Sequence, residues 1–583
     1  MEKIATDAIP QLIQRLCEEI FQQSEASAKL EDLRAQVIPF DYTPPFKSMG
    51  SSSREALERM DEELEVMMRA CDYAVHAMVT YTNNVLNSVK ARRNEHCPIY
   101  RLPSEIITTI FHFARQCSLG SDDGLLRSAP VSLSQVSKWW RNIALSTPAL
   151  WTKIDSQNVI LAELFANRSK NELLDIDVDL EVSSATYDFN YIRAEDLLQF
   201  LTPHIDRWES FVFCGDCEYG PLDSPAPNLQ TLQLRADWDS HAHYNINIFS
   251  NHAPLLRTLK LARFYIDLDA HLHAGLESLH LCDSLILGPP NKFAAMSLAA
   301  CPLLRELVLH DVRFHGILDS MPGNRSVPLH HLEVMRLKMD DREIRSLISS
   351  LQTPSSLRLC ITMQDSNDLR TMFPVSQTHQ WPPSNIAAID TLSIIADSAD
   401  EAGGVHVVGE SLQNHMPLLE LHFPAFSAYR DAPRIASIAA HLGPMIALTI
   451  LSIHSTFDQV IMNANMFNTL LLHSPALTAI SLRNVPAGFV DTLVFTHTTP
   501  HCPLLQSLHL QEMDLGLVDV ILLARSRRHH NTNGRRDLSR ITISNCRRVK
   551  EAMITGLRGL SVEVIWDDEG SGLVGETVLS LNN

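Results

Sequence analysis

The sequence predicts an α/β protein in three stretches: N-terminal helices, a three-helix module, then a long irregular solenoid of parallel strands joined by helices or turns. Three observations predict it. A leucine pattern recurs between residues 227 and 543, mostly every 27 to 30 residues. Between residues 97 and 154, apolar side chains at helical spacing outnumber what so short a unit can bury alone. Between residues 57 and 85, apolar residues fall at heptad spacing.

Residues 1–96 read as two helical pieces. Ile9, Leu12, Ile13, Leu16, Ile20 and Phe21 make one stripe, with Pro10 at its start. Pro39 to Ser53, containing Pro44-Pro45 and Gly50, breaks the pattern. A longer helix follows. Leu57, Leu64, Cys71, Met78 and Val85 occupy one heptad position, and Met60, Met67, Ala74 and Tyr81 the other. Cys, Ala and Tyr specify an oligomer poorly, so a hairpin against the first helix and a dimeric coiled coil both remain open.

Residues 97–154 form the module. Pro103 suits a helix start, because its missing N–H would be unpaired there. Ser104 and Glu105 favour the positive end of the helix dipole. Ile106, Ile107, Ile110, Phe111 and Ala114 then give a wide apolar stripe. A second helix carries Val131, Leu133, Val136, Trp139, Trp140, Ile143 and Leu145. Thr147-Pro148 ends it, and a third turn or helix begins at Pro148-Ala-Leu-Trp151.

Pro98-Ile99-x-x-Leu102-Pro103-x-Glu105-Ile106-Ile107-x-x-Ile110-Phe111, then Val136-x-x-x-Trp140-Arg141-x-Ile143-Ala144 and Thr147-Pro148-x-Leu150-Trp151, resembles an F-box. More closely, it is similar to the F-box-like modules abundant in mushroom-forming fungi. A polar insert, Ser118–Pro130, lengthens the first connection. The resemblance implies that an apolar face binds the Skp-family adaptor of cullin–RING ubiquitin ligases while a C-terminal repeat domain selects the target protein. It assigns adaptor binding to Leu102, Pro103, Ile106, Ile107, Ile110, Phe111, Val136, Trp140, Ile143, Leu150 and Trp151.

Residues 155–200 form a bridge. Leu161, Leu164 and Phe165 make a short helical stripe, and Leu173 to Leu180 alternates with period 2, as a first strand with its aspartates on the wet side. From 201 to 583 the repeats take over. Pro227-Asn-Leu229-Gln-Thr-Leu232-Gln-Leu234 returns as Pro254-Leu-Leu256-Arg-Thr-Leu259-Lys-Leu261 and as Pro302-Leu-Leu304-Arg-Glu-Leu307-Val-Leu309. Weaker copies continue to Leu538-x-x-Ile541-x-Ile543, and Leu357-Arg-Leu359-Cys-Ile361 reads as a decayed one. This pattern resembles the leucine-rich repeat, whose units stack because none can bury its own leucines. The Asn or Cys usual three residues after the last leucine is mostly replaced, by Asp237, Phe264 and Val312, and only Cys546 matches. The turns are therefore expected to be irregular.

Composition narrows the function. With 45% apolar and 20% charged residues the 583-residue chain is globular. A net charge of −20 argues against nucleic-acid or anionic-membrane binding. No apolar stretch reaches the roughly 20 residues of a membrane span, and no signal pattern opens the chain. An odd, scattered set of 11 cysteines suits a reducing compartment, cytoplasm or nucleus.

Catalytic signals are sparse. Cys214-Gly-Asp-Cys217 has redox or half-zinc spacing without a second pair, and reads as structural. His241-x-His243 near Asp237 and Asp239 could bind a metal, but reads as a solvated repeat loop. The basic island from Arg525 to Arg536 reads as a solvated loop or an acidic-ligand contact. No phosphate loop, nucleophile elbow or His-Glu-x-x-His occurs. The sequence therefore predicts a non-enzymatic adaptor that needs no cofactor or metal. The alternative is a repeat scaffold not attached to a ligase.

Overall fold

The structure is a computed structural model. It describes residues 53–117, 129–155, 161–179, 194–215, 224–236, 243–244, 252–266, 275–316, 326–364, 369–373, 384–397, 404–412, 416–424, 445–456, 462–495, 501–527, 537–560 and 562–567, with the single residues 11, 15, 222 and 249. The expected stripe from Ile9 to Phe21 and the breaker region up to residue 52 lie outside the described residues, apart from helical Gln11 and Arg15. The chain divides into two compact units, with the change at Ser146/Thr147.

The first unit is helical. Helix α1, Ser53–Glu95, runs for 43 residues with Arg92 and Arg93 in its last turn, where cations favour the helix dipole. A short 3₁₀ turn, Pro98–Arg101, follows. Asn94 Nδ2 donates to the Tyr100 hydroxyl at 3.0 Å across that corner. Helix α2 is Ser104–Cys117, α3 Ala129–Val136 and α4 Lys138–Ser146. The single second helix expected across Val131–Leu145 is therefore two. Ser137 separates them, its Oγ accepting from Trp140 N at 3.2 Å, as N-cap hydroxyls do.

Among the described residues, the second unit is built on one 17-stranded sheet. Its first strands are β1 Lys153–Asp155, β2 Leu174–Asp179, β3 Trp208–Cys214, β4 Thr231–Arg235 and β5 Thr258–Ala262. Then come β6 Ser278–Cys282, β7 Glu306–His310, β8 Val334–Lys338 and β9 Arg358–Thr362. These nine pair in chain order, all parallel. Leu259, Leu279, Leu307, Met335 and Leu359 lie opposite one another in register and are all buried. A buried ladder of this kind is what stacking does for leucines that one unit cannot cover. The copy at Leu357–Ile361 that looked decayed is a full strand, β9.

The order then changes. After β10 Thr391–Asp397, β11 Gly404–Ser411 and β12 Met416–Phe423, it is β12 that pairs with β9. Strand β11 pairs antiparallel with both β12 and β10. Parallel pairing resumes from β10 through β13 Ile450–Ser455, β14 Ala479–Arg483, β15 Ser507–Gln511, β16 Arg540–Ser544 and β17 Glu563–Asp567. The sequence did not foresee β11. At its bulge sits Gly409, where a Cβ would meet Ile389 Cδ1 at 2.7 Å, so a larger residue would have to displace the Ile389 side chain.

The irregular turns have a structural rule. Arg263, Asp283, Asp311, Asn484, Glu512 and Asn545, each just after its strand, have φ between 47° and 67°. The next residue turns inward: Phe264, Val312 and Met513 are buried in place of the expected Asn. Ser284 occupies that position polar and buried, its Oγ donating to Cys282 O at 2.7 Å and accepting from Phe264 N at 3.2 Å.

Candidate functional site

Helix α2 has two apolar faces, which the sequence read as one wide stripe. Ile106, Ile110 and Phe113 recur at i, i+4 and i+7 and point one way, and Leu102 lies just before the helix in extended backbone. Ile106 is 48% exposed, Phe113 62% and Leu102 36%, while Ile110 is half-buried. Ile107 and Phe111, about 100° round the helix, are fully buried. Phe111 meets the half-buried Trp140 with ring centroids 5.0 Å apart, and Tyr100 meets Trp139 at the same separation. Arg141 Nε ties α4 to α3 by donating to Ser134 O at 2.9 Å.

The expected adaptor-binding residues therefore fall into groups. Leu102, Pro103, Ile106 and Val136 are at the surface; Ile110 and Trp140 are partly available. Ile107, Phe111 and Ile143 are packed inside the first unit. Leu150 and Trp151 belong to the second unit and are fully buried there. Trp151 packs edge-on against Phe165 at 5.1 Å, and the Arg168 guanidinium lies 4.4 Å above its ring. These five hold the fold and offer a partner no surface. Sequence reading missed Phe113 and exposed Leu145; for Phe113 the available signal was its spacing of seven from Ile106. His112, beside this face, is held below the usual imidazole range by burial and by Arg115.

The second unit presents a half-exposed sheet face of different character. Glu306 on β7 accepts from Arg336 on β8 at 2.6 Å and meets His280 on β6 at 3.0 Å. Arg358 on β9 donates to Glu420 on β12 at 2.7 Å, and Cys360 Sγ reaches the same carboxylate at 3.3 Å. Burial, with Glu420 beside it, pushes the Cys360 thiol up to about 11. Where the strand order changes, a cavity of about 290 Å³ is lined by Arg336, Cys360, Thr362, His406, Glu420 and His422. The His406 and His422 rings stack there at 4.3 Å.

The other candidates resolve less. Cys214 is buried at the end of β3, whereas Cys217, Asp237, Asp239 and His241 lie outside the described residues. Among the described residues no group of three or more His, Cys, Asp or Glu could hold a metal. Part of the basic island is structural: Arg527 is buried and donates to the carbonyls of Leu493, His501 and Cys502 at 2.7–3.1 Å. Arg528 to Arg536 lie outside the described residues. Among the described residues no helix is long and apolar enough to cross a membrane.

Compared with known protein families, residues 99–157 match the F-box-like model, so this stretch is an F-box-like domain. F-box-like domains generally mediate binding to Skp-family adaptors. Compared with curated proteins, the chain has no match.

Proposed function

We propose that this protein is the substrate-recognition subunit of a cullin–RING ubiquitin ligase, working in the cytoplasm or nucleus. The exposed row Leu102, Ile106 and Phe113 on an F-box-like domain carries the reading. A row of large apolar side chains left in water is expensive, and an adaptor surface that covers it relieves the cost. Fully burying one such side chain is worth about 1.5–3 kcal/mol, so these half-exposed ones contribute about 1 kcal/mol each. The one-strand-per-copy sheet supports reading residues 201–583 as an irregular leucine-rich-repeat solenoid whose half-exposed face holds a target protein. The protein itself makes and breaks no bonds. It raises the effective concentration of target lysines near the charged ubiquitin enzyme.

The test is affinity for a purified Skp-family adaptor. Ile106→Asp and Leu102→Asp, both at the surface, are expected to weaken binding by about 2 kcal/mol each, roughly 30-fold in Kd, without loss of helicity. Wild-type protein that fails to bind any Skp-family adaptor would sink the ligase reading. The repeat scaffold would then stand on its own.

A further inference from the structure

Among the described residues, helix α1 has one buried face and one largely exposed face. Glu63, Ala70 and Ala74 are buried along the first. Roughly 110° round the helix lie Leu57, Leu64, Met68, Val75, Val79, Leu86 and Val89, each 49–64% exposed. They recur at i, i+7, i+11, i+18, i+22, i+29 and i+32, so they form one straight stripe about 48 Å long. Seven half-exposed side chains of this size offer on the order of 600 Å². Two such stripes face to face would bury on the order of 1,200 Å², the lower limit of a stable interface.

Charge identifies the occupant. The first half of α1 carries exposed Glu55, Glu58, Asp61, Glu62, Glu65 and Asp72 against Arg59 and Arg69. Its last turns carry exposed Lys90, Arg92 and Arg93 against Glu95. A helix acidic at one end and basic at the other complements itself head to tail, and repels itself side by side in parallel. We infer that α1 pairs antiparallel with α1 of a second copy, joining two chains through this stripe. Exposed Cys71 lies on the stripe near its midpoint, so antiparallel pairing brings the two Cys71 side chains within about one turn, ~6 Å along the axis. The pairing is independent of the adaptor face, which lies on α2, and doubles the number of target-holding faces in one assembly.

The experiment is the mass of the full chain in solution by light scattering at about 20–100 μM. Wild type should give twice 65.4 kDa. The triple variant Leu64→Glu, Val75→Glu, Leu86→Glu changes exposed positions only, and should give 65.4 kDa with unchanged circular dichroism. A short bis-maleimide should cross-link wild type into a dimer, and Cys71→Ser should abolish it. In the Cys71→Ser background, Leu57→Cys should cross-link to Val89→Cys of another copy and not to itself. A monomeric wild type overturns the inference. A dimer that survives the triple variant also overturns it, and Leu57→Cys linking to itself overturns the antiparallel arrangement.

Discussion

The two units treat their apolar residues in opposite ways. In the helical unit, α1 and α2 leave Leu57, Leu64, Ile106 and Phe113 largely in water. In the sheet unit, the alternate strand residues Leu232, Leu259, Leu307, Leu451 and Leu508 are all fully buried. Its half-exposed face instead carries ion pairs such as Arg336–Glu306 and Arg358–Glu420. A parallel strand in the stack finds its partner in the next copy of the same pattern, so the sheet completes itself. A short helix bundle offers fewer neighbours to each helix, so among the described residues it leaves large apolar side chains exposed. The contrast is between an apolar exposed surface in one region and a charged, half-exposed one in the other.

The largest effect separates two phenylalanines two positions apart. Phe111→Ala should cost about 3–5 kcal/mol of stability in the helical unit, because it empties a fully buried site against Trp140. Phe113→Ala should leave thermal unfolding within about 0.5 kcal/mol of wild type and weaken the adaptor instead. Equal destabilisation by both, seen in denaturant titrations, would break the distinction between packing face and docking face.

Next comes the sheet unit alone. Arg527→Ala strips the donors from the carbonyls of Leu493, His501 and Cys502, and should cost about 3 kcal/mol. Calorimetry should show that loss in the sheet unit while adaptor affinity stays at its wild-type value. Altered adaptor affinity would show that the regions are not separable in this way. A smaller effect should attend the strand-end turns. Asn545, at φ 50°, should accept glycine within about 0.5 kcal/mol, whereas Asn545→Val should cost about 1–2 kcal/mol.

The smallest effect depends on pH. Burial raises the Glu306 carboxyl, but hydrogen bonds from His280 and Ser278 and the charge of Arg336 outweigh it, leaving the group below its ordinary range. A carboxylate depressed on folding stabilises the protein above its unfolded value, about 4.3, and that contribution disappears as pH falls through the folded value. Wild type should therefore lose stability faster than Glu306→Gln on acidification below about pH 5, in melting curves taken at each pH. Parallel curves for the two proteins would remove Glu306 from the charge network that holds the sheet face.

Much of this architecture was legible from local spacing. The leucine pattern placed strands β4 through β10 and β12 through β16, because a buried strand must alternate whatever it packs against. The F-box-like stretch was legible because Leu-Pro-x-Glu-Ile-Ile and Pro-x-Leu-Trp combine helix-start chemistry with apolar bulk. What failed shares one cause: sequence shows that a residue is apolar, and contacts with distant residues decide which way it faces. Ile107 and Phe111 went inward and Phe113 outward because α3 and α4 cover one side of α2. Strand β11, the splitting of α3 from α4, and the burial of Arg527 inside a basic run likewise depend on partners remote in the chain. The sequence by itself determined most of the segments that become helices and strands, β11 and the break between α3 and α4 apart, and that apolar stripes exist. Only the tertiary structure decided which stripe is core and which is surface, because burial is a property of the neighbours and not of the residue.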